Sequence, residues 1–232
     1  MKIKLVLLLL AIAMECLLLR LGFWQLARGN EKQVQIEALQ KVLREKKSID
    51  LATASAQSRA YQWARGNIRF QTDTQLLLDN QRRGDKVGVV IYQLGISDSG
   101  QAFLIDLGWL PVTGVRQFPN PAPIHGVYTL EGLLLPPPSP GFAIGTALSE
   151  MDSNRLLLTR LELTNIATRL KQTLAARVLR PDPIINIGFK RDLDVLQNTL
   201  PPEKHQAYAL QWFGLAVAWL LLCVFVGRRK KV

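Results

Sequence analysis

Cysteine and histidine are scarce in this chain: its 232 residues hold two of each, Cys16, Cys223, His125 and His205. Both cysteines fall inside apolar runs, so the polar middle of the chain has no disulfide staple and no thiolate metal site. This excludes a thioredoxin-like redox protein and a copper carrier built on paired cysteines. The two histidines are too far apart for a His-x-x-x-His pair, and neither a Ser-His-Asp set nor a glycine-rich phosphate loop is present. A catalyst would therefore lack both a nucleophile and a general base with a partner. His125, in Pro121-Ala122-Pro123-Ile124-His125-Gly126, reads as a solvated loop residue. Asp192 and Asp194 read as a solvated turn and not as a carboxylate pair for acid–base work. A dense basic tract interleaved with aromatics is also missing, which removes nucleic acid as a partner.

Charge is abundant but unevenly placed. Of the formal +11, the ends outside residues 28–204 supply +6, from seven cations and Glu15. The remainder has 22 Lys and Arg against 17 Asp and Glu, which makes it an ordinary basic domain. The ends thus account for most of the high isoelectric point, and they are also where the long apolar runs lie. Residues 206–226 carry no charge over 21 positions, and a bilayer core needs about 20 residues of helix. Residues 5–19 are apolar apart from Glu15. Lys2 and Lys4 ahead of a leucine run also resemble a signal peptide, but the small-residue cleavage pattern is replaced by Glu15, Cys16 and Arg20. The reading is a retained anchor in which Glu15 sits deep and Arg20 snorkels towards the interface.

The flanking cations set an orientation. Lys2 and Lys4 precede the first span, and Arg228, Arg229, Lys230 and Lys231 follow the second. Both termini are then cytoplasmic and the middle lies across the membrane, in the periplasm of a bacterial cell. The layout expected is a cytoplasmic start at 1–4, a first transmembrane helix at 5–26 and a juxtamembrane helix with linker at 27–60. An exported α+β domain at 61–204, a second transmembrane helix at 205–226 and a basic cytoplasmic tail at 227–232 follow.

Between the anchors, residues 31–47 keep helical spacing through Val34, Ala38, Val42, Leu39 and Leu43. Residues 48–58 are small and polar and read as a linker. From Tyr61 the period changes to short strand-like runs at 66–70, 75–79, 87–92 and 102–106, with turn signals at Asp79-Asn80, Arg83-Gly84-Asp85 and 97–100. Further strands are expected at 127–135, 155–160 and 176–179, and helix at 163–174 and 115–118. Pro136-Pro137-Pro138-Ser139-Pro140 is an extended segment. The fold class expected is α+β, with a mainly antiparallel sheet or partly closed barrel between two transmembrane helices.

Chemistry concentrates where the spans begin and end. On a helix, His205, Tyr208, Ala209 and Trp212 fall within about a third of a turn of one another. Trp24 and Arg28 are aligned in the same way on the first span and could form a facing wall. An interfacial belt of aromatics is the plainer reading of both groups.

These residues carry a resemblance. Leu21-Gly22-Phe23-Trp24-Gln25-Leu26-Ala27-Arg28, followed by Glu31-Lys32, resembles the signature after the first span of the surfeit locus protein 1 family. His205-Gln206-Ala207-Tyr208-Ala209-Leu210-Gln211-Trp212 resembles its second signature, His-x-x-Tyr-Ala-x-Gln-Trp. Gly108-Trp109 resembles a third, although Asp106-Leu107 stands where the family often has Asn-Arg. Glu203-Lys204 and Glu15 are further departures. The resemblance covers the whole plan of the chain.

It implies an assembly factor for haem-copper cytochrome c oxidase in the cell inner membrane, not an enzyme, with haem a as transient cargo. The implied partners are the oxidase catalytic subunit, haem a synthase and membrane lipids. The family's proposed axial ligand to the haem iron falls on His205. Apolar and aromatic walls would come from Trp24, Tyr208 and Trp212, and cations for the propionates from Arg28 or Lys204. The competing expectation is an anchored scaffold that stabilises oxidase intermediates without touching haem, its aromatic band serving as a helix-packing surface.

Overall fold

A computed structural model describes residues 2–138, 145–194 and 200–229. Helix α1 runs from Lys2 to Glu45 and α3 from Pro202 to Arg229. Both are long and apolar enough to cross a membrane. No proline interrupts α1, which continues through 27–45 as one helix. It ends at Lys46, whose left-handed φ of 41° closes the last turn with a bond from its N–H to the Val42 carbonyl. Lys230 and Lys231 of the basic tail lie outside the described residues.

The chain divides into two compact units: α1 up to Ala38 together with α3, and the segment that starts at Leu39 and precedes α3. In the helical unit, α1 and α3 pair antiparallel. Trp219 Nε1 donates to the Ala11 carbonyl (3.1 Å), Phe23 meets the Phe213 ring edge-on at 5.2 Å, and Gln25 meets His205. The contact face is written in small residues at helical spacing. Gly22, Gly29, Ala209 and Ala216 let the backbones approach, with Leu18 filling the seam.

The second unit is built on one sheet of eight strands: β1 (Ser48–Asp50), β2 (Gln62–Arg83), β3 (Lys86–Ser97), β4 (Ala102–Pro111), β5 (Gly126–Leu135), β6 (Leu148–Glu150), β7 (Arg155–Leu158) and β8 (Leu174–Pro181). Helix α2 (Leu163–Leu170) packs through Ile166. The order β3-β4-β8-β5-β2-β7-β6, with β3 also on β2 and β1 parallel to β2, makes the sheet mixed. β2–β7 and β4–β8 are parallel as well, against five antiparallel pairs among the described residues. Both faces bury apolar side chains, as the alternation of strand residues requires. Leu76, Leu78, Tyr92, Leu94 and Leu104 point to one core, and Leu77, Ile91, Phe103, Ile105 and Leu134 to the other. Each such side chain contributes about 1.5–3 kcal/mol. The sheet is therefore a two-faced mixed sheet and not a clear barrel.

Several sequence expectations are corrected. Asp79-Asn80 is not a turn between strands; it is a bulge inside the 22-residue β2, where the register with β3 slips. Asn80 takes φ of 57° while its N–H bonds the Asp79 carboxylate at 2.7 Å, a conformation Asn tolerates better than most residues. A second slip between Phe70 and Gln75 lets the strand bend. Residues 115–118 are not helix: 114–116 form a turn bracketed by the Thr113–Gln117 bridge, and Val115 is almost fully exposed. The second helix stops at Leu170, because Lys171 adopts φ of 52° and Leu174 starts β8. Of the proline segment, Pro136 to Pro138 belong to neither helix nor strand, while Ser139 and Pro140 lie outside the described residues.

The 48–58 linker is also more ordered than its composition suggests. β1 adds a parallel strand, Leu51 is fully buried, and the buried Arg177 donates to the Ser55 and Ala60 carbonyls and to the Gln62 side chain. Burial pushes the Arg177 pKa down. No carboxylate lies within ion-pair distance of it among the described residues.

Candidate functional site

The residues singled out in the helical unit divide by face. His205 and Trp212 are partly buried on the side of α3 that carries Ala209 and Ala216. Tyr208, Trp24 and Arg28 are exposed on the flanks of their helices, and Arg28 donates to Glu31 at 2.6 Å. Trp24 and Arg28 therefore do not face His205 across the seam. Gln25 does: its Oε1 lies 2.7 Å from His205 Nδ1. An amide oxygen only accepts, so the imidazole Nδ1–H is the donor. His205 Nε2 makes no hydrogen bond among the described residues.

Two local features hold this contact. The His205 N–H reaches the Pro201 carbonyl, so the histidine sits in the first turn of α3. Gly29 leaves room for it: a Cβ there would stand 3.4 Å from His205 Cβ and 3.5 Å from the Pro202 carbonyl oxygen. Gly22 has the same function one level away, where a Cβ would come within 2.5 Å of the Phe213 ring. Deeper on the same face, Glu15 Oε2 is buried without a hydrogen-bond partner.

Sequence reading missed Gln25 as the partner of the histidine. The available signal was the spacing of Leu18, Gly22, Gln25 and Gly29, which repeats at three and four residues and marks a helix seam.

The sheet domain holds a second polar cluster, around Gly108-Trp109. Arg180 Nε pairs with the buried Asp106 at 2.8 Å, and Asp106 Oδ1 accepts the Gly108 N–H at 3.0 Å. Trp109 is fixed at both ends, its N–H on the Lys190 carbonyl and its Nε1 on the Gln81 carbonyl. Arg83 pairs with Asp192 and lies over the Trp109 ring, so Asp192 is an ion-pair partner and not simply part of a solvated turn. Arg191 donates to the carbonyls of Asp182, Ile185 and Phe189. The cavity among these groups is about 20 Å³, no larger than a water molecule needs. The cluster fastens residues 182–192 to the sheet. His125, in its loop, meets Asp73 at 3.2 Å with both side chains over half exposed.

Burial first, and then the charge of Asp106, push the Tyr92 phenol far above its ordinary pKa of 10.0, against the opposing effect of Arg180. An unfolded chain loses this proton near pH 10 whereas the folded domain keeps it. The stabilisation is therefore complete below pH 10 and is lost as pH rises above it. The urea midpoint is expected to fall between pH 10 and about 12, and to fall less steeply in Tyr92→Phe. Parallel slopes for parent and variant would contradict the assignment.

Two terminal helices long and apolar enough to cross a membrane flank a mixed-sheet domain in the sequence, with an imidazole held at the helix seam, a plan consistent with a class of membrane-anchored two-helix proteins. The chain matches the SURF1 family over residues 12–217 and belongs to that family. No curated protein matches the chain. The SURF1 family consists of cytochrome oxidase assembly factors, not of catalysts, and the chain is assigned to oxidase assembly on that ground.

Proposed function

We propose that this protein takes up haem a and passes it towards the catalytic subunit of cytochrome c oxidase, with His205 as the protein's axial ligand. One observation carries the reading. The imidazole at the head of α3 is held against α1 within the segment that carries the family's first signature, through its contact with Gln25. A ligand used for transfer needs an accessible nitrogen, apolar surroundings and cations at the rim. Nε2 of His205 is uncommitted among the described residues, Tyr208 offers an exposed aromatic face and Lys204 a cation in the same first turns of α3, and Trp24 and Arg28 lie on the flank of α1. A haem held through a single protein residue would be the easier to hand on, which suits release.

The placement proposed with this function is the inner membrane, with both termini cytoplasmic and the sheet domain on the periplasmic side. The cations at both ends of the chain support it. Haem a synthase is the proposed donor and the oxidase catalytic subunit the acceptor.

The test is the visible spectrum of detergent-purified protein from cells that make haem a, compared with a His205→Ala variant. The parent is expected to carry a haem a band that the variant loses or shifts. A haem-free parent with native folding would overturn the cargo reading in favour of a scaffold that holds oxidase intermediates without haem.

A further inference from the structure

In the reading above Gln25 only holds His205 against α1, yet its chemistry also determines which atom of the histidine is available. We infer that Gln25 is a positioning residue: by accepting from Nδ1, its side-chain oxygen locks His205 in the Nδ1–H tautomer and leaves the Nε2 lone pair as the only one that can meet a ligand. The inference rests on the haem reading for what binds, but not for the tautomer itself.

A free neutral imidazole carries its proton on either nitrogen, and a fixed acceptor at one of them selects the tautomer. The Oε1 atom 2.7 Å from Nδ1 is such an acceptor. The backbone adds direction. His205 is anchored in the first helical turn by its N–H to the Pro201 carbonyl, and Gly29 lies against its Cβ. The ring therefore has its Nδ1 edge turned to α1 and its Nε2 edge turned away from Gln25. Metal-ligating histidines commonly hold their second ring nitrogen in a hydrogen bond of this kind, and loss of the partner lowers affinity by about 10–100-fold.

The assignment can be tested without haem. In a His125→Asn background, His205 is the one imidazole left, and the nitrogen resonances of histidine-labelled protein in detergent report its tautomer. The Nδ1–H form is expected to dominate in the parent and to lose its dominance in Gln25→Leu. Gln25→Glu, which keeps an oxygen acceptor, should restore it. Haem a affinity is expected to fall at least about tenfold in Gln25→Leu and to remain near the parent's in Gln25→Glu. An unchanged tautomer in Gln25→Leu would overturn the inference, whatever haem does. A parent that takes up no haem but shows the Gln25-dependent tautomer would overturn the cargo reading and support the positioning role.

Discussion

Arg180→Leu should lower the unfolding free energy of the sheet domain by about 3–5 kcal/mol, the range for removing one partner of a buried ion pair. The Asp106 side chain is 3% exposed and that of Arg180 16%, so neither charge can turn to solvent when its partner is deleted. Burial opposes the Arg180 charge, but Asp106 more than offsets this and its pKa is raised. Leucine would leave the Asp106 carboxylate buried with the Gly108 N–H as its remaining hydrogen-bond donor among the described residues. The double variant Asp106→Asn with Arg180→Leu should lose less than the single change. Asparagine still offers Gly108 an oxygen and brings no charge. Urea unfolding of the full chain in detergent, followed by tryptophan fluorescence, measures both. A loss below about 1 kcal/mol for Arg180→Leu would mean that the pair is solvated in practice.

Gly108→Ala is the second large effect expected. Gly108 has φ of 108°, outside what an L-residue adopts without strain, and its missing side chain is filled by backbone. A Cβ would stand 2.6 Å from the Phe189 carbonyl oxygen and 2.9 Å from that of Lys190. Those groups cannot swing aside, because the Phe189 N–H bonds the Leu107 carbonyl and the Lys190 carbonyl accepts from the Trp109 N–H. Strain of about 1–3 kcal/mol and overpacking of about the same size give an expected loss of about 2–6 kcal/mol. Gly84→Ala is the control. That glycine also has positive φ, at 61°, but open space around it, so only the local cost of about 1–2 kcal/mol applies. Trypsin should also cut at Lys190 and Arg191 sooner in Gly108→Ala than in Gly84→Ala. Equal behaviour of the two variants would mean that the 182–192 segment is not fastened at Gly108.

Much of this architecture was legible in the sequence for a physical reason. Long uncharged runs and the switch from helical to alternating period are strong local signals, so both terminal helices and most strands could be placed. Signals failed where local chemistry admits two outcomes. Asp79-Asn80 favours a left-handed residue, which serves a bulge as well as a turn, and only the pairing of β2 on both sides decides between them. Residues 48–58 look like a linker because small polar side chains say nothing about Leu51, or about a buried arginine more than a hundred positions away. Parallel pairings such as β4–β8 were not visible either, since the hydrophobic pattern of a strand does not name its neighbour. At the candidate site, periodicity gave the order of residues along each helix but not the rotation of one helix against the other. That rotation brings Gln25 to His205 and leaves Trp24 and Arg28 on the flank.

The contact between Gln25 and His205 joins positions 180 residues apart. A ribosome adding about 5–20 residues each second would have made every strand of the sheet domain before the histidine emerged. The seam between α1 and α3 thus closes late, after the first helix has waited through the synthesis of nearly all the rest. A prematurely terminated chain would carry no imidazole beside Gln25. Formation of this seam is thereby tied to completion of the polypeptide.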